Sequence, residues 1–312
     1  MSSLLVGRVV RLPVVRPPTR YFDADFVFDE LKFVANEHLV RVGSLCVGDG
    51  GDARAARATT AADRAASRWD IFYTKNGAGA YKPRHFIVQA FPVLSTCATV
   101  VDIGCGAGAN VWPLLSKTDV RRVFATDVAP AALAALAAHP DAAEAVGSGK
   151  LTLFLWDFST NKPPLPLPRP PVPQARIDAE SSWRVQSLPV IGMAEAVLLT
   201  FTASAMHPRD HADAFRSAAA MLAVGGRLLF RDHGARDLAQ LRAVDAAILL
   251  PSLNERGDGT LAYFFTLDEV RKHLSDAGLV VEELSHACVT NNNRKTGAKM
   301  RRVFVHAVGR KP

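Results

Sequence analysis

With 312 residues, 49% of them apolar and 21% charged, the chain has room for one large domain or two small ones, and its composition excludes global disorder. A net charge of +7 and a pI of about 9.4 favour a polyanionic partner, nucleic acid first, and no apolar stretch reaches the ~18 residues a membrane span needs. The four cysteines, Cys46, Cys97, Cys105 and Cys288, form no C-x-x-C pair, so neither a disulfide framework nor a zinc knuckle is expected.

Residues 1–22 read as extended or disordered, and Asp25–Val42 as helical. Gly43–Thr60 is rich in Gly, Ala, Asp and Arg and reads as loose. Trp69, Phe72 and Tyr73 follow at helical spacing, so they share one helix face, whose default use is core packing. Then strands and helices alternate. The expected strands are Thr99–Ile103, Arg122–Thr126, Leu151–Leu155, Ala194–Thr200 and Arg227–Phe230. Helices are expected from about Ala109 to Ser116, from Pro130 onward, from about Asp210 to Ala223 with Gly225-Gly226 as its stop, and near Leu267–Ala277. The proline-dense segment 161–192 is a surface excursion, because proline cannot join a central ladder. Leu279–Val289 and Arg302–Val308, joined by a turn-rich linker, read as a closing antiparallel pair at the sheet edge. Strand–helix alternation implies a parallel sheet covered on both faces.

The segment Val100–Asn110, VVDIGCGAGAN, carries the most information. Glycines 104, 106 and 108 let the backbone turn sharply after a buried strand and admit a nucleoside-bearing ligand against the main chain. Asp127, at the end of the second strand, is placed to accept both hydroxyls of a ribose. The glycine spacing alone fits an S-adenosylmethionine site or a nicotinamide site. The terminal antiparallel pair separates them, since a nicotinamide domain continues with parallel units. In an open α/β sheet the ligand lies above the carboxyl ends of the strands, where Gly104, Asp127, Asp157, Thr200 and Asp232 all fall.

The blocks RWDIFY (68–73), YKPRHF (81–86), DIGCGAGANVWPLL (102–115), TDVAPAAL (126–133), FLWDFS (154–159), LLTFTASAMHP (198–208), FRDHG (230–234) and DGTLAYFF (258–265) run in one order along the chain. Over about Arg68–Val308 the sequence resembles the tRNA 3-methylcytidine methyltransferases, which methylate cytidine in the anticodon loop. The glycine block is general to methyltransferases; RWDIFY, PRHF, SAMHP, FRDHG and DGT-x-x-YFF together are specific. The resemblance implies an α/β fold of the class I methyltransferase (Rossmann-like) type, with a mostly parallel sheet, a terminal antiparallel strand pair and a helical N-terminal extension. It divides the chain into an arm (1–60), a lid and tRNA-contacting segment (61–97) and a methyltransferase domain (98–312) carrying the 161–192 insert.

The cofactor it implies is S-adenosylmethionine. Trp69 and Tyr73 would flank that cofactor, which moves the aromatic stripe from core to lid. Gly104, within the turn that includes Gly106, would contact the methionine part, Asp127 the ribose and Asp157 the adenine amino group. Thr200 would line the pocket. Arg84 and His85 would orient the flipped cytosine or its phosphate at the pocket mouth. Asp232 is the candidate carboxylate to stabilise the cationic product, its alternative being a partner for Arg231 or a helix cap. The family usually has tyrosine at His233 and often arginine at Leu261, so these two positions are expected to affect tRNA docking or substrate choice.

His207 and His211 are spaced as a metal pair, but no third ligand is spaced to join them; they read as structural or cofactor-adjacent, and no metal is expected. Arg294, Lys295, Lys299, Arg301 and Arg302 form a basic set that suits tRNA phosphates, or a merely solvated loop. The expected partner is tRNA, at anticodon-loop position 32, with a helper protein such as a tRNA synthetase or a deaminase in some members of the family. Neither DNA nor a membrane is expected. A methyltransferase for a protein or small molecule and a catalytically silent tRNA-binding scaffold are the competing readings. The first twenty residues hold four arginines and no acid, as befits a basic arm of a cytoplasmic protein or a mitochondrial transit peptide.

Overall fold

The computed structural model describes residues 28, 38, 40–42, 44–47, 49–159, 165–166, 191–292, 297 and 299–312. Five apolar runs become the parallel strands β1 (Thr99–Ile103), β2 (Arg122–Asp127), β3 (Leu151–Leu155), β5 (Ala194–Thr200) and β6 (Leu222–His233). Antiparallel β10 (Val280–Asn292) and β11 (Lys299–Arg310) close one side, with β11 inserted between β6 and β10. On the other side the two-residue β4 (Leu165–Pro166) pairs antiparallel with β3, so the proline sits at an edge, where a missing N–H is tolerated. The order is β10-β11-β6-β5-β1-β2-β3-β4.

Successive residues of the central strands enter opposite cores, which is why these strands read as unbroken apolar runs. Val101, Val197, Leu228 and Val305 pack on one face with α7 (His211–Met221) and α9 (Leu267–Asp276) through Phe215, Ala218, Val270 and Leu274. Val100, Val123, Leu198 and Leu229 enter the other core. There they meet α3 (Ile87–Ala90), α4 (Val111–Lys117) and α5 (Pro130–Ala137) through Ile87, Leu114 and Leu133.

Three local readings change. Gly43–Thr60 is not loose: α1 (Asp49–Asp63) fills most of it, because its alanines and arginines are strong helix formers. Gly51 also lets that helix approach the Cys46 carbonyl, where a Cβ would come within 2.6 Å. The helix expected to reach Ala223 stops at Met221, and the chain is extended from Leu222. Gly225-Gly226 therefore lies inside β6 at a register jump against β5 rather than at a helix stop. Residues 248–263 carry no strand expectation, yet they form a second antiparallel sheet of β7 (Ile248–Leu250), β8 (Leu253–Glu255) and β9 (Leu261–Tyr263). The chain also carries helices α2 (Ala65–Asn76), α6 (Ala142–Gly147) and α8 (Leu238–Leu241) among the described residues. Residues 1–22 and most of Asp25–Val42 and of the proline insert lie outside the described residues.

Helix α9 opens with a full capping box. The Thr266 hydroxyl accepts from the Glu269 amide at 3.2 Å, and the Glu269 carboxylate accepts from the Thr266 amide at 2.7 Å. Thr266→Ala should lower stability by about 1 kcal/mol. In urea unfolding this is read as a lower midpoint at unchanged slope.

Candidate active site

Above the carboxyl ends of β1, β2, β3, β5 and β6 lies a cavity of about 600 Å³. Its first end is built on the turn after β1. Gly104 and Cys105 donate their amides to the Thr126 carbonyl at 2.8 and 2.9 Å, folding the turn over the tip of β2. Both Gly104 (φ +69°) and Gly106 (φ +56°) are left-handed. A Cβ on Gly104 would fall 2.2 Å from the Thr202 methyl, and one on Gly106 would fall 2.2 Å from the Tyr73 hydroxyl oxygen.

The Asp127 carboxylate accepts from the amides of Gly106 (2.8 Å) and Ala129 (3.0 Å). Burial pushes its pKa up to about 6 against the pull of these amides. The Trp69 and Tyr73 rings, 6.0 Å apart on α2, roof this end. Asp70, on the same helix, accepts from the Ala131 amide at 2.8 Å and ties the roof to the start of α5. Asp157 lines the far wall, with its carboxylate accepting from the Ser159 amide at 3.1 Å.

The second end is aromatic and cationic. Phe201, His233 and Phe304 line it, and the His233 ring lies 5.7 Å from Phe201 and 5.9 Å from Phe304. Phe201 is held at φ +55°, a left-handed conformation that costs an aromatic residue on the order of 1–3 kcal/mol. Arg84 lies over the Phe201 ring at 4.7 Å. Its Nη1 donates toward the Asn110 side-chain carbonyl and the Thr200 hydroxyl, both at 3.3 Å. Asn110 in turn donates to the Asp102 carboxylate at 2.9 Å, a group that burial pushes up to about 7. Arg256 and Arg302 complete the wall.

Trp69, Tyr73, Gly104, Asp127, Asp157 and Arg84 therefore meet in one cavity, with Gly106 shaping its turn. Other expected residues stand elsewhere. Asp232 is fully buried and does not line the cavity; its carboxylate accepts from the amides of Thr202 (3.1 Å), Ser204 (2.9 Å) and His233 (2.8 Å). It holds the wall from behind, as the structural alternative for this carboxylate would have it, and presents no atom to the cavity. Thr200 is equally buried, its hydroxyl spent on Asn110 and Arg84 rather than facing the ligand. His85 is exposed and does not line the cavity.

Arg302 leaves the surface set for the cavity wall, where its Nε donates to the buried Asp237 carboxylate at 2.8 Å. Lys299 and Arg301 are exposed on the terminal strand pair, and Arg294 and Lys295 lie outside the described residues. His211 is buried and donates from Nε2 to the Ala203 carbonyl at 3.0 Å. His207 lines the cavity and accepts from the Arg209 amide at 3.1 Å. Leu261 is buried inside the small sheet. Arg256, Phe201 and Phe304 escaped the sequence reading, although Arg256 stands two residues before the DGT block and Phe201 inside the LLTFTASAMHP block.

A glycine turn, a buried carboxylate at the tip of the second strand, an aromatic roof and a sheet that ends β10-β11-β6 are the features of a class I methyltransferase fold. Residues 75–284 match the family described as methyltransferase domain, and the chain belongs to that family. It is 29% identical to the tRNA N(3)-methylcytidine methyltransferase Mettl2 of Drosophila melanogaster, over 78% of this chain and 70% of the fly protein. It is also 29% identical to the tRNA N(3)-cytidine methyltransferase METTL6 of Rattus norvegicus, over 80% of each chain. The tRNA(Thr) (cytosine(32)-N(3))-methyltransferase of Saccharomyces cerevisiae matches at 28% identity, over 77% of this chain and 36% of its own length. A Haloferax volcanii methyltransferase, solved with a methyltransferase activator, shares the fold at a TM-score of 0.52 and 15% identity, over 78% of this chain and 97% of its own.

S-Adenosylmethionine fits the first end on three counts: the turn leaves no room for a Cβ, Asp127 can take two hydroxyls, and two aromatic rings roof the space. Gly106→Ala should abolish cofactor binding in calorimetry, since the new methyl meets the Tyr73 hydroxyl and the backbone is left-handed there. Binding in the native protein should also weaken as pH falls through about 6. Asp127 then takes up a proton and loses acceptor capacity, as the expected ribose contact would report, whereas binding reaches its plateau only well above pH 6, where the carboxylate is fully ionised.

Proposed function

We propose that the protein methylates N3 of cytidine in tRNA, at position 32 of the anticodon loop, with S-adenosylmethionine as methyl donor. The observation that supports it best is the single cavity joining the glycine-turn end to an end lined by Phe201, His233, Phe304 and three arginines. Aromatic faces and guanidinium planes are what an extruded base stacks on. The tRNA relatives named above support the same substrate.

The cofactor supplies an electrophilic methyl on a sulfonium. Cytosine N3 carries an in-plane lone pair at neutral pH, so no general base is needed, and no carboxylate in the wall is required to move a proton. The N3–CH3 bond forms as the S–CH3 bond breaks, and the positive charge passes from sulfur to the base. The chain's own contribution is placement. Asp127 and the roof fix the donor, Phe201 offers a face to the base, and Arg84, locked by Asn110 and Thr200, fixes the base edge or its phosphate. Dependence on a helper such as a tRNA synthetase or a deaminase is part of this proposal.

Purified protein incubated with labelled cofactor and total tRNA should form 3-methylcytidine, read by nucleoside mass spectrometry. Asp127→Ala should weaken cofactor binding about 100-fold, the loss of two charge-assisted hydrogen bonds of about 1.5 kcal/mol each. Arg84→Ala should keep cofactor binding and lower kcat/KM on the order of 100-fold through misplacement of the base. Cofactor binding with no methylated tRNA, even with cell extract added, overturns the proposed substrate.

A further inference from the structure

The cationic end of the cavity contains an arrangement that base stacking does not use. His233 stands between two guanidiniums: its Nε2 is 3.4 Å from Arg256 Nη2, and its Nδ1 is 3.4 Å from Arg302 Nη2. Each arginine is anchored from behind. Arg256 Nη1 donates to the Leu261 carbonyl at 3.0 Å, and Arg302 Nε donates to Asp237 at 2.8 Å. Both therefore present a fixed edge to the cavity that they line.

A neutral imidazole has one lone pair and one N–H. It can accept from one of the two arginines, and it necessarily turns its N–H toward the other. Protonation would not resolve the conflict, since His⁺ has no lone pair at all. Burial and the charges of Arg256, Arg302 and Arg84 hold the ring neutral by lowering its pKa well below the ordinary value. His233 can therefore satisfy only one of the two guanidinium edges that face it, and the other is left able to donate to a ligand in the cavity.

Charge says which acceptor. Arg84, Arg256 and Arg302 line this end, and the nearby Asp258 carboxylate, which Arg256 helps to hold ionised, does not line the cavity and accepts from the Thr260 amide and hydroxyl at 3.0 and 2.7 Å. Asp237 is committed to Arg302 and to the amides of Ala239 and Val303. Asp102 and Asp232 lie behind the wall, and burial raises the pKa of both, which reduces the charge they offer. A neutral base carbonyl would leave this excess uncompensated while the base itself becomes a cation. An anion offsets both.

We infer that Arg256 and Arg302, spaced by His233, form a subsite for the phosphodiester group next to the target nucleotide of a single-stranded RNA segment. The inference rests on the function proposed above and adds the group that positions the flipped nucleotide. Guanidinium edges suit a phosphate, which two of them can grip together through separate oxygens. His233 acts as the spacer, which assigns a use to a position where the resembling family usually has tyrosine.

The test uses the full chain and an anticodon stem-loop RNA carrying the target cytidine. One linkage at a time is replaced by a neutral methylphosphonate, on the 5′ side of the cytidine, on its 3′ side, or at a remote stem position. Dissociation constants are measured against salt concentration, alongside single-turnover methyl transfer. Neutralising one of the two flanking linkages should weaken binding about 10-fold and reduce the log–log salt slope by about 0.7 to 1, the signature of one lost phosphate contact, while the remote linkage changes neither. In Arg256→Gln the same neutral linkage should cost clearly less than in the native protein, the remainder being the contact of Arg302, with cofactor affinity reporting that the variant is folded.

Equal effects at flanking and remote positions in the native protein overturn the subsite. So does undiminished linkage sensitivity in Arg256→Gln. Failure of the unmodified stem-loop and of whole tRNA to be methylated at all overturns the underlying function instead, so the two failures are distinguishable.

Discussion

The Asp232 carboxylate has no solvent exposure, and three backbone amides, those of Thr202, Ser204 and His233, converge on it. Burial raises its pKa, and the amides draw it back toward ionisation. Removing it would leave three buried donors unsatisfied, each at a cost of about 1–3 kcal/mol. The bonds join the tip of β6 to the segment that follows β5, and both ends of the cavity hang from that segment. The Thr202 methyl closes over Gly104, and its hydroxyl lies 3.0 Å from the Ile103 carbonyl, so the cofactor turn is wedged from one side. One residue earlier, Phe201 is forced into a left-handed conformation and thrown across the target end beneath Arg84. Strain of that kind persists only where surrounding bonds over-determine the backbone.

A second buried carboxylate works the other side of the same wall. Asp102, in the middle of the sheet, holds Asn110, and Asn110 holds Arg84. Arg84 is thus positioned from β1 through α4's cap residue, while the aromatic face beneath it is positioned from β6. Neither carboxylate touches the cavity. Their shared effect is to place a guanidinium and a ring with little freedom to relax, which is the pre-organisation the proposed site requires.

Much of this was legible in the sequence, and the failures have physical causes. The sharp turn at the glycines and the strand-tip position of Asp127 were legible because a left-handed backbone demands glycine and an apolar run ending in a carboxylate marks the end of a buried strand, whatever surrounds them. Asp232 also lies at a strand tip, but whether such a carboxylate faces a ligand or its own chain depends on the loop opposite, here the amides of Thr202 and Ser204. No local pattern carries that. Thr200 failed for the same reason, since one residue of register decides whether a strand-end side chain meets ligand or Asn110. The basic set 294–302 read as one surface because the hairpin was expected to be shorter. Strands β10 and β11 run on to Asn292 and Lys299, so Arg302 falls inside the ladder opposite Val289, on the Asp237 side. α1 was hidden by glycines at its start, although its alanines and arginines outweigh them over the following turns.

The two departures from the resembling family, at His233 and Leu261, separate in the structure. Leu261 contributes its side chain to the core and its backbone carbonyl to Arg256, and every residue type supplies that carbonyl. A change there alters packing while leaving the arginine's anchor in place. His233 presents its side chain to the cavity, among Phe201, Phe264 and Phe304 and between two guanidiniums. A tyrosine in its place would carry its oxygen on a longer ring, with one hydroxyl where the imidazole has two nitrogens on different edges, so it could not stand between both arginines in the same way. Of the two positions, His233 alone presents its side chain to the cavity, and what it sets there is the spacing of two cations.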